Sequence, residues 1–129
     1  MFSLDGRVAL VTGSSTGLGK AIAIALGKAG ARVAMNYYNN DERAQAALEE
    51  FRAAGGTGEM FKGNVIDPED VNRLYDKIKE KLGPVDILVC NATPDQPQKR
   101  IEDYDWEFYQ SMLDFFIKSP YLLSLACLP

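Results

Sequence analysis

A glycine-punctuated turn constrains this chain more than any other feature. The run Thr12-Gly13-Ser14-Ser15-Thr16-Gly17-Leu18-Gly19 follows the apolar segment Val8-Ala9-Leu10-Val11 and leads into a helical stretch from Lys20 to Lys28. A glycine-rich loop alone says little; placed between a strand and a helix it has a task few folds require. Gly13 lets the chain leave the strand in a conformation that costs other residues more. Gly17 leaves room for backbone to approach a pyrophosphate, and Gly19 lets the helix pack close to the sheet. The free amides of the first helical turn and the helix dipole then favour a negative charge.

The rest of the chain alternates strand and helix patterns. Arg7 to Thr12 is short and rich in strand formers, and Gly17 to Ala29 repeats small and apolar residues at helical spacing, with Gly30 to end it. Ala31 to Tyr37 is a second apolar segment. Asn40 or Asp41 caps a helix reaching about Ala54, where Gly55-Gly56 stop it. Glu59 to Lys62 is a weak third strand. Asp67-Pro68-Glu69-Asp70 is a strong helix start: an aspartate at the cap, proline at the first helical position, and a carboxylate three residues after the cap. That helix runs to about Leu82, ahead of Gly83-Pro84. Val85 to Cys90 reads as the clearest buried strand, Ala92 to Arg100 as a polar loop, and Tyr104 to Leu128 as one long helix interrupted near Pro120. Alternation of this kind predicts an α/β fold, a doubly wound parallel sheet with helices on both faces and right-handed crossovers. No repeat and no internal domain boundary is read, so residues 1–129 form one domain.

Composition narrows the partners. Hydrophobic residues make up 47% of the chain, enough for a core and too many for a disordered segment. The net charge of -4, with both signs scattered along the helices, argues against nucleic acid and against acidic membrane surfaces. Neither a signal peptide nor a membrane-spanning run is read. Histidine is absent and no cysteine or carboxylate cluster has ligand spacing, so no metal is expected. Cys90 and Cys127 lie far apart in apolar segments and read as inert buried thiols of a cytoplasmic protein.

Three segments, in order, resemble the N-terminal half of the short-chain dehydrogenase/reductase family, close to its 3-oxoacyl-carrier-protein reductase-like group. They are Thr12 to Gly19, similar to the family's TGxxxGxG; Gly63-Asn64-Val65 after the third strand; and Val85-Asp86-Ile87-Leu88-Val89-Cys90-Asn91-Ala92. The resemblance covers all 129 residues. It implies a Rossmann-type sheet with strand order 3-2-1-4 and a cofactor crossing between the first and fourth strands. It implies a cofactor site at Gly13, Ser14, Ser15, Gly17, Leu18, Gly19, Asn36, Tyr37, Asn64, Val65, Asn91 and Ala92. For Ser14 and Ser15 two readings stay open: hydroxyls offered to the adenosine ribose or its phosphate, or simple capping of the helix. An acidic residue at the end of the second strand would hold the ribose hydroxyls and repel a 2′-phosphate. Asn36-Tyr37-Tyr38 carries no carboxylate, which favours NADP, with NAD the alternative because Thr16 stands where many NADP-preferring relatives have Arg or Lys.

The departures bear on activity. Cys90 replaces the first Asn of the family's Asn-Asn-Ala-Gly and Thr93 its Gly, leaving less room beside the nicotinamide. Phe116 aligns with an Asn that supports the family's proton relay. The family's catalytic Ser and Tyr-x-x-x-Lys lie beyond the segment matched, so no catalytic residue is assigned and these residues alone are expected to be inactive. The expected function is the cofactor-binding half of an NAD(P)-dependent oxidoreductase that interconverts a small-molecule carbonyl and a secondary alcohol. The alternatives are a non-catalytic dinucleotide-binding or interaction module, or a fragment folded only by association. The aromatic run Tyr104, Trp106, Phe108, Tyr109, Phe115 and Phe116 reads as packing or a subunit contact rather than a substrate pocket, and a homo-oligomer is expected.

Overall fold

The structure is a computed structural model that describes residues 2–95 and 97–129. Four parallel strands form one sheet in the order β3-β2-β1-β4. They are β1 (Val8–Val11), β2 (Arg32–Tyr37), β3 (Thr57–Lys62) and β4 (Ile87–Val89). The helices between them are α1 (Gly17–Lys28), α2 (Asp41–Ala53) and α3 (Pro68–Lys81), and after β4 come α4 (Trp106–Leu113) and α5 (Ser119–Cys127). The expected α/β class and strand order are both present.

Strand alternation sorts the core into two layers. Val8 and Leu10 face one way and pack with Phe61, Val71, Leu74, Ile78 and Leu123 of β3, α3 and α5. Ala9 and Val11 face the other way and pack with Ala23, Val33, Met35, Leu48 and Phe51 of α1, β2 and α2. Helices therefore cover both faces, and burial along β1 is complete.

Two readings need correction. Val85 to Cys90 is not a fully buried strand: β4 is an edge of the described sheet, its residues are half-buried, and Cys90 is exposed. With strands on one side only, β4 has cover from one side only. The long C-terminal helix also starts later than Tyr104, at Trp106, and its interruption near Pro120 is a π-helical widening. A 3-10 turn at Ile101–Asp103 precedes α4, and a π-helical segment, Asp114–Lys118, joins α4 to α5. There the Ser119 N–H donates to the Asp114 carbonyl, five residues back. Pro120 lacks an N–H and its ring crowds the carbonyl four residues earlier, so the widened turn sits just upstream of the proline. No helix among the described residues is long and apolar enough to cross a membrane.

Candidate functional site

The site lies where the carboxyl ends of the strands meet the first βα turn. Thr12 follows β1 and is buried; its Oγ1 accepts the N–H of Asn91 at 3.0 Å and that of Ala92 at 3.1 Å. Asn91 answers through Nδ2, donating to the carbonyls of Thr12 at 3.1 Å and Gly13 at 3.0 Å. The pairing of Val11 with Val89 brings these residues opposite one another. Thr12, the first residue of the glycine motif, is thus a framework residue of the site.

Asn36 ties the loop to the other side of the sheet. It is 2% exposed, and its Oδ1 accepts the N–H of Gly13 at 3.1 Å. Its Nδ2 donates to the carbonyls of Phe61 at 3.2 Å and Gly63 at 3.3 Å. Its own N–H donates to Ser14 Oγ at 2.9 Å, and that hydroxyl donates to the Val11 carbonyl at 2.7 Å. One amide side chain therefore joins the ends of β1, β2 and β3. Buried polar groups stay stable only when so satisfied.

The expected site side chains fall into two groups, those bonded within the framework and those left open. Asn36 belongs to the first: it is buried at the end of β2 and its amide bonds backbone of the loop and of β3. Ser14 is fully buried and neither caps α1 nor faces solvent. Ser15 is also buried, and Thr16 is the cap residue of α1. Val65 turns its side chain into the core against α3. Asn64 Oδ1 accepts the Ile66 N–H at 3.2 Å, and the Asn64 N–H donates to Asp70 Oδ2 at 2.9 Å. That bond, and then the Arg73 guanidinium, hold the Asp70 carboxyl below the usual carboxylate range. Ala92 is half-buried against the core, and a Cβ on Gly13 would sit 2.8 Å from its Cα.

What stays open is the start of α1. Leu18 is 71% exposed, and Gly17 has φ +58 with nothing within 4 Å of where a Cβ would lie. Gly19 is the opposite case: a Cβ there would collide with the Asn91 amide and the Gly13 carbonyl. Thr16 makes no side-chain cap bond and the first turn of α1 holds no acidic residue. The starts of the other α-helices that follow loops are closed. Asn40 caps α2, Asp67 caps α3 and Asp105 caps α4, each accepting an N–H of the first turn, and each first turn carries Asp or Glu.

A second feature lies at the end of β2. Tyr37 pairs in register with Lys62 at the end of β3. The Tyr37 hydroxyl donates to Asp41 Oδ1 at 2.8 Å, and Lys62 Nζ lies 3.4 Å from the same oxygen and 5.9 Å from the Tyr37 ring centre. The hydrogen bond to Asp41 raises the tyrosine's pKa, and the same bond together with Lys62 lowers that of Asp41. Neither Asp41 nor Lys62 is marked for the site by the sequence; the signal is the register, which places residue 62 beside residue 37.

Farther along, Tyr104 meets Phe108 edge-on at 4.6 Å and Trp106 lies 5.9 Å from Tyr109. The one literal Tyr-x-x-x-Lys run, Tyr75 to Lys79, lies in α3 with Tyr75 packed against the core. Burial pushes the Cys127 thiol up to about 11, and the nearby Cys90 adds to the shift.

Parallel strands in the order 3-2-1-4, with a glycine turn at the switch between the first and fourth, define the doubly wound α/β class. The family model for short chain dehydrogenase matches residues 7–129, and the chain belongs to that family. It is similar to a versicolorin reductase of Emericella nidulans, 43% identical over 91 residues, covering 70% of this chain and 34% of the relative. It is also similar to a 3-oxoacyl-[acyl-carrier-protein] reductase of Staphylococcus aureus, 37% identical over 103 residues, covering 78% of this chain and 42% of the relative. A blue fluorescent protein from a metagenomic library, solved in complex with NADPH, superposes with a TM-score of 0.86 at 29% identity, covering 97% of this chain and 51% of the other. The chain therefore spans between a third and about half the length of these proteins.

Proposed function

We propose that residues 1–129 are the dinucleotide-binding half of an NAD(P)-dependent oxidoreductase, with NADP the favoured cofactor and a small-molecule carbonyl or secondary alcohol as substrate. The observation that carries this reading is the open start of α1. Its first-turn amides have no side-chain cap, no acidic neighbour and an open glycine above them. A pyrophosphate supplies the missing acceptors and the negative charge that the helix dipole favours. The fit is good on this chain's own geometry, since nothing lies within 4 Å of where a Cβ on Gly17 would be and the backbone there is left uncovered.

Bound there, the cofactor would supply or accept a hydride. The protein's part is to hold it. Ser15, Gly17, Leu18 and Gly19 present backbone to the phosphates, Asn91 and Ala92 fix the loop against β4, and Asn36 and Ser14 brace it from β2. Tyr37 stands at the ribose end and Asn64 at the adenine side. The NADPH complex of the structural neighbour supports the choice of cofactor. Proton transfer to a carbonyl needs a positioned acid. These residues hold no Tyr-x-x-x-Lys at the matching position, so catalysis is proposed to need the half that the relatives carry in addition. Exposed Trp106, Ile117, Tyr121 and Leu125 support self-association through α4 and α5, and two free thiols suit a cytoplasmic setting.

Calorimetric titration with NADP+ and NAD+, with NADPH-dependent carbonyl reduction assayed alongside, tests this. Saturable binding, tighter for NADP+, without turnover by these 129 residues is the expected result. No binding of either dinucleotide overturns the reading.

A further inference from the structure

Selection between NADP and NAD normally rests on a charge at the end of the second strand or close by. In this chain the expected positions are neutral: Asn36 and Tyr37 end the strand, Tyr38 follows it and Thr16 sits in the glycine loop. The charge is nevertheless present, displaced onto the neighbouring elements. Lys62 comes from the end of β3 and Asp41 from the first turn of α2, and both meet Tyr37. Lys62 Nζ is 3.4 Å from Asp41 Oδ1, while the Tyr37 hydroxyl donates to that same oxygen at 2.8 Å. Both charged side chains are more than half exposed, so the ammonium is held over the strand end without being buried.

We propose that Lys62, kept at the ribose end by Asp41 and Tyr37, selects the 2′-phosphate of NADP over the 2′-hydroxyl of NAD. The inference rests on the dinucleotide reading above and deepens it. The carboxylate of Asp41 does not repel the phosphate, because one of its oxygens is already shared between a cation and a hydroxyl donor. An arriving phosphate, a dianion with several acceptor oxygens, outcompetes a single carboxylate oxygen for the ammonium. Asp41 and Tyr37 are positioning residues here, and Lys62 is the one that touches the ligand.

The test titrates NADP+, NAD+ and 2′,5′-ADP into the full chain and into Lys62→Met, Lys62→Arg and Asp41→Asn. Lys62 and Asp41 are both exposed, so none of these substitutions threatens the fold. Lys62→Met should weaken NADP+ and 2′,5′-ADP about tenfold and leave NAD+ unchanged, and Lys62→Arg should restore most of the loss. Asp41→Asn should weaken NADP+ several-fold by loosening the hold on the ammonium, and leave NAD+ unchanged. Added salt should erode the NADP+ advantage of the unsubstituted chain more steeply than that of Lys62→Met. If Lys62→Met leaves the NADP+ to NAD+ ratio where it was, the assignment of Lys62 fails and the dinucleotide site stands. If the unsubstituted chain binds neither dinucleotide, the site itself fails and Lys62 with it.

Discussion

The start of α1 and the starts of α2, α3 and α4 solve one physical problem in opposite ways. Every helix begins with N–H groups that no residue of the helix can accept. At α2, α3 and α4 a side chain accepts one of them, Asn40, Asp67 or Asp105, and acidic residues in the first turn answer the dipole. At α1 none of this is present, although Ser14, Ser15 and Thr16 supply hydroxyls within three residues of the helix. Ser14 spends its hydroxyl on Val11 instead. The chain thus leaves one helix start open while bracing the loop around it on two sides. A rigid surround with an unsatisfied centre is the arrangement a fixed anion site needs.

Breaking the brace should cost most. Asn36→Ala strands the Gly13 N–H and the carbonyls of Phe61 and Gly63, and the loss should be about 3 kcal/mol in urea unfolding. Thr12→Val keeps the shape but removes the acceptor of two N–H groups, and should cost about 2 kcal/mol by the same measurement.

The caps themselves sharpen the contrast. Asn40→Ala and Asp67→Ala should each cost about 1 kcal/mol, because each removes a side-chain acceptor. Thr16→Ala at the start of α1 removes no such bond and should shift stability by less than about 0.3 kcal/mol. A loss there as large as at Asp67 would erase the difference between the two kinds of helix start.

A small effect on stability should carry the largest consequence for binding. Leu18→Glu places a carboxylate on an exposed position in the first turn of α1. It should stabilise the free protein by about 0.5 kcal/mol through the dipole. The same charge should repel a pyrophosphate and weaken NADP+ binding at least tenfold, measured by calorimetry. Gain in both properties would mean that the open helix start is not an anion site.

Much of this is legible in the sequence, and the parts that are not share a cause. The alternating apolar runs, Asp67-Pro68, and the glycine turn are local signals, and they place the strands, α3 and the βα loop where the structure has them. The strand order comes with the family resemblance. Burial of Asn36 is hidden because it depends on three strand ends meeting at one side chain. The exposure of Cys90 is hidden for a related reason: an apolar run shows that a segment can be buried, while its place in the sheet decides whether it is. The Lys62–Asp41 contact bridges 21 positions and is set by the register of β2 on β3, which no local pattern specifies. The interruption of the last helix is expected near Pro120, and the π-helical form it takes just upstream is the part that no local pattern specifies.

The most direct measurement follows backbone amide shifts by 15N–1H NMR as NADP+ is added to the full chain. The account predicts that Gly17, Leu18 and Gly19 move most, saturating together, while the first-turn amides of α3 and α4, at Glu69, Asp70 and Glu107, stay in place. Shifts absent at Gly17, Leu18 and Gly19, or equal at all these helix starts, would contradict it.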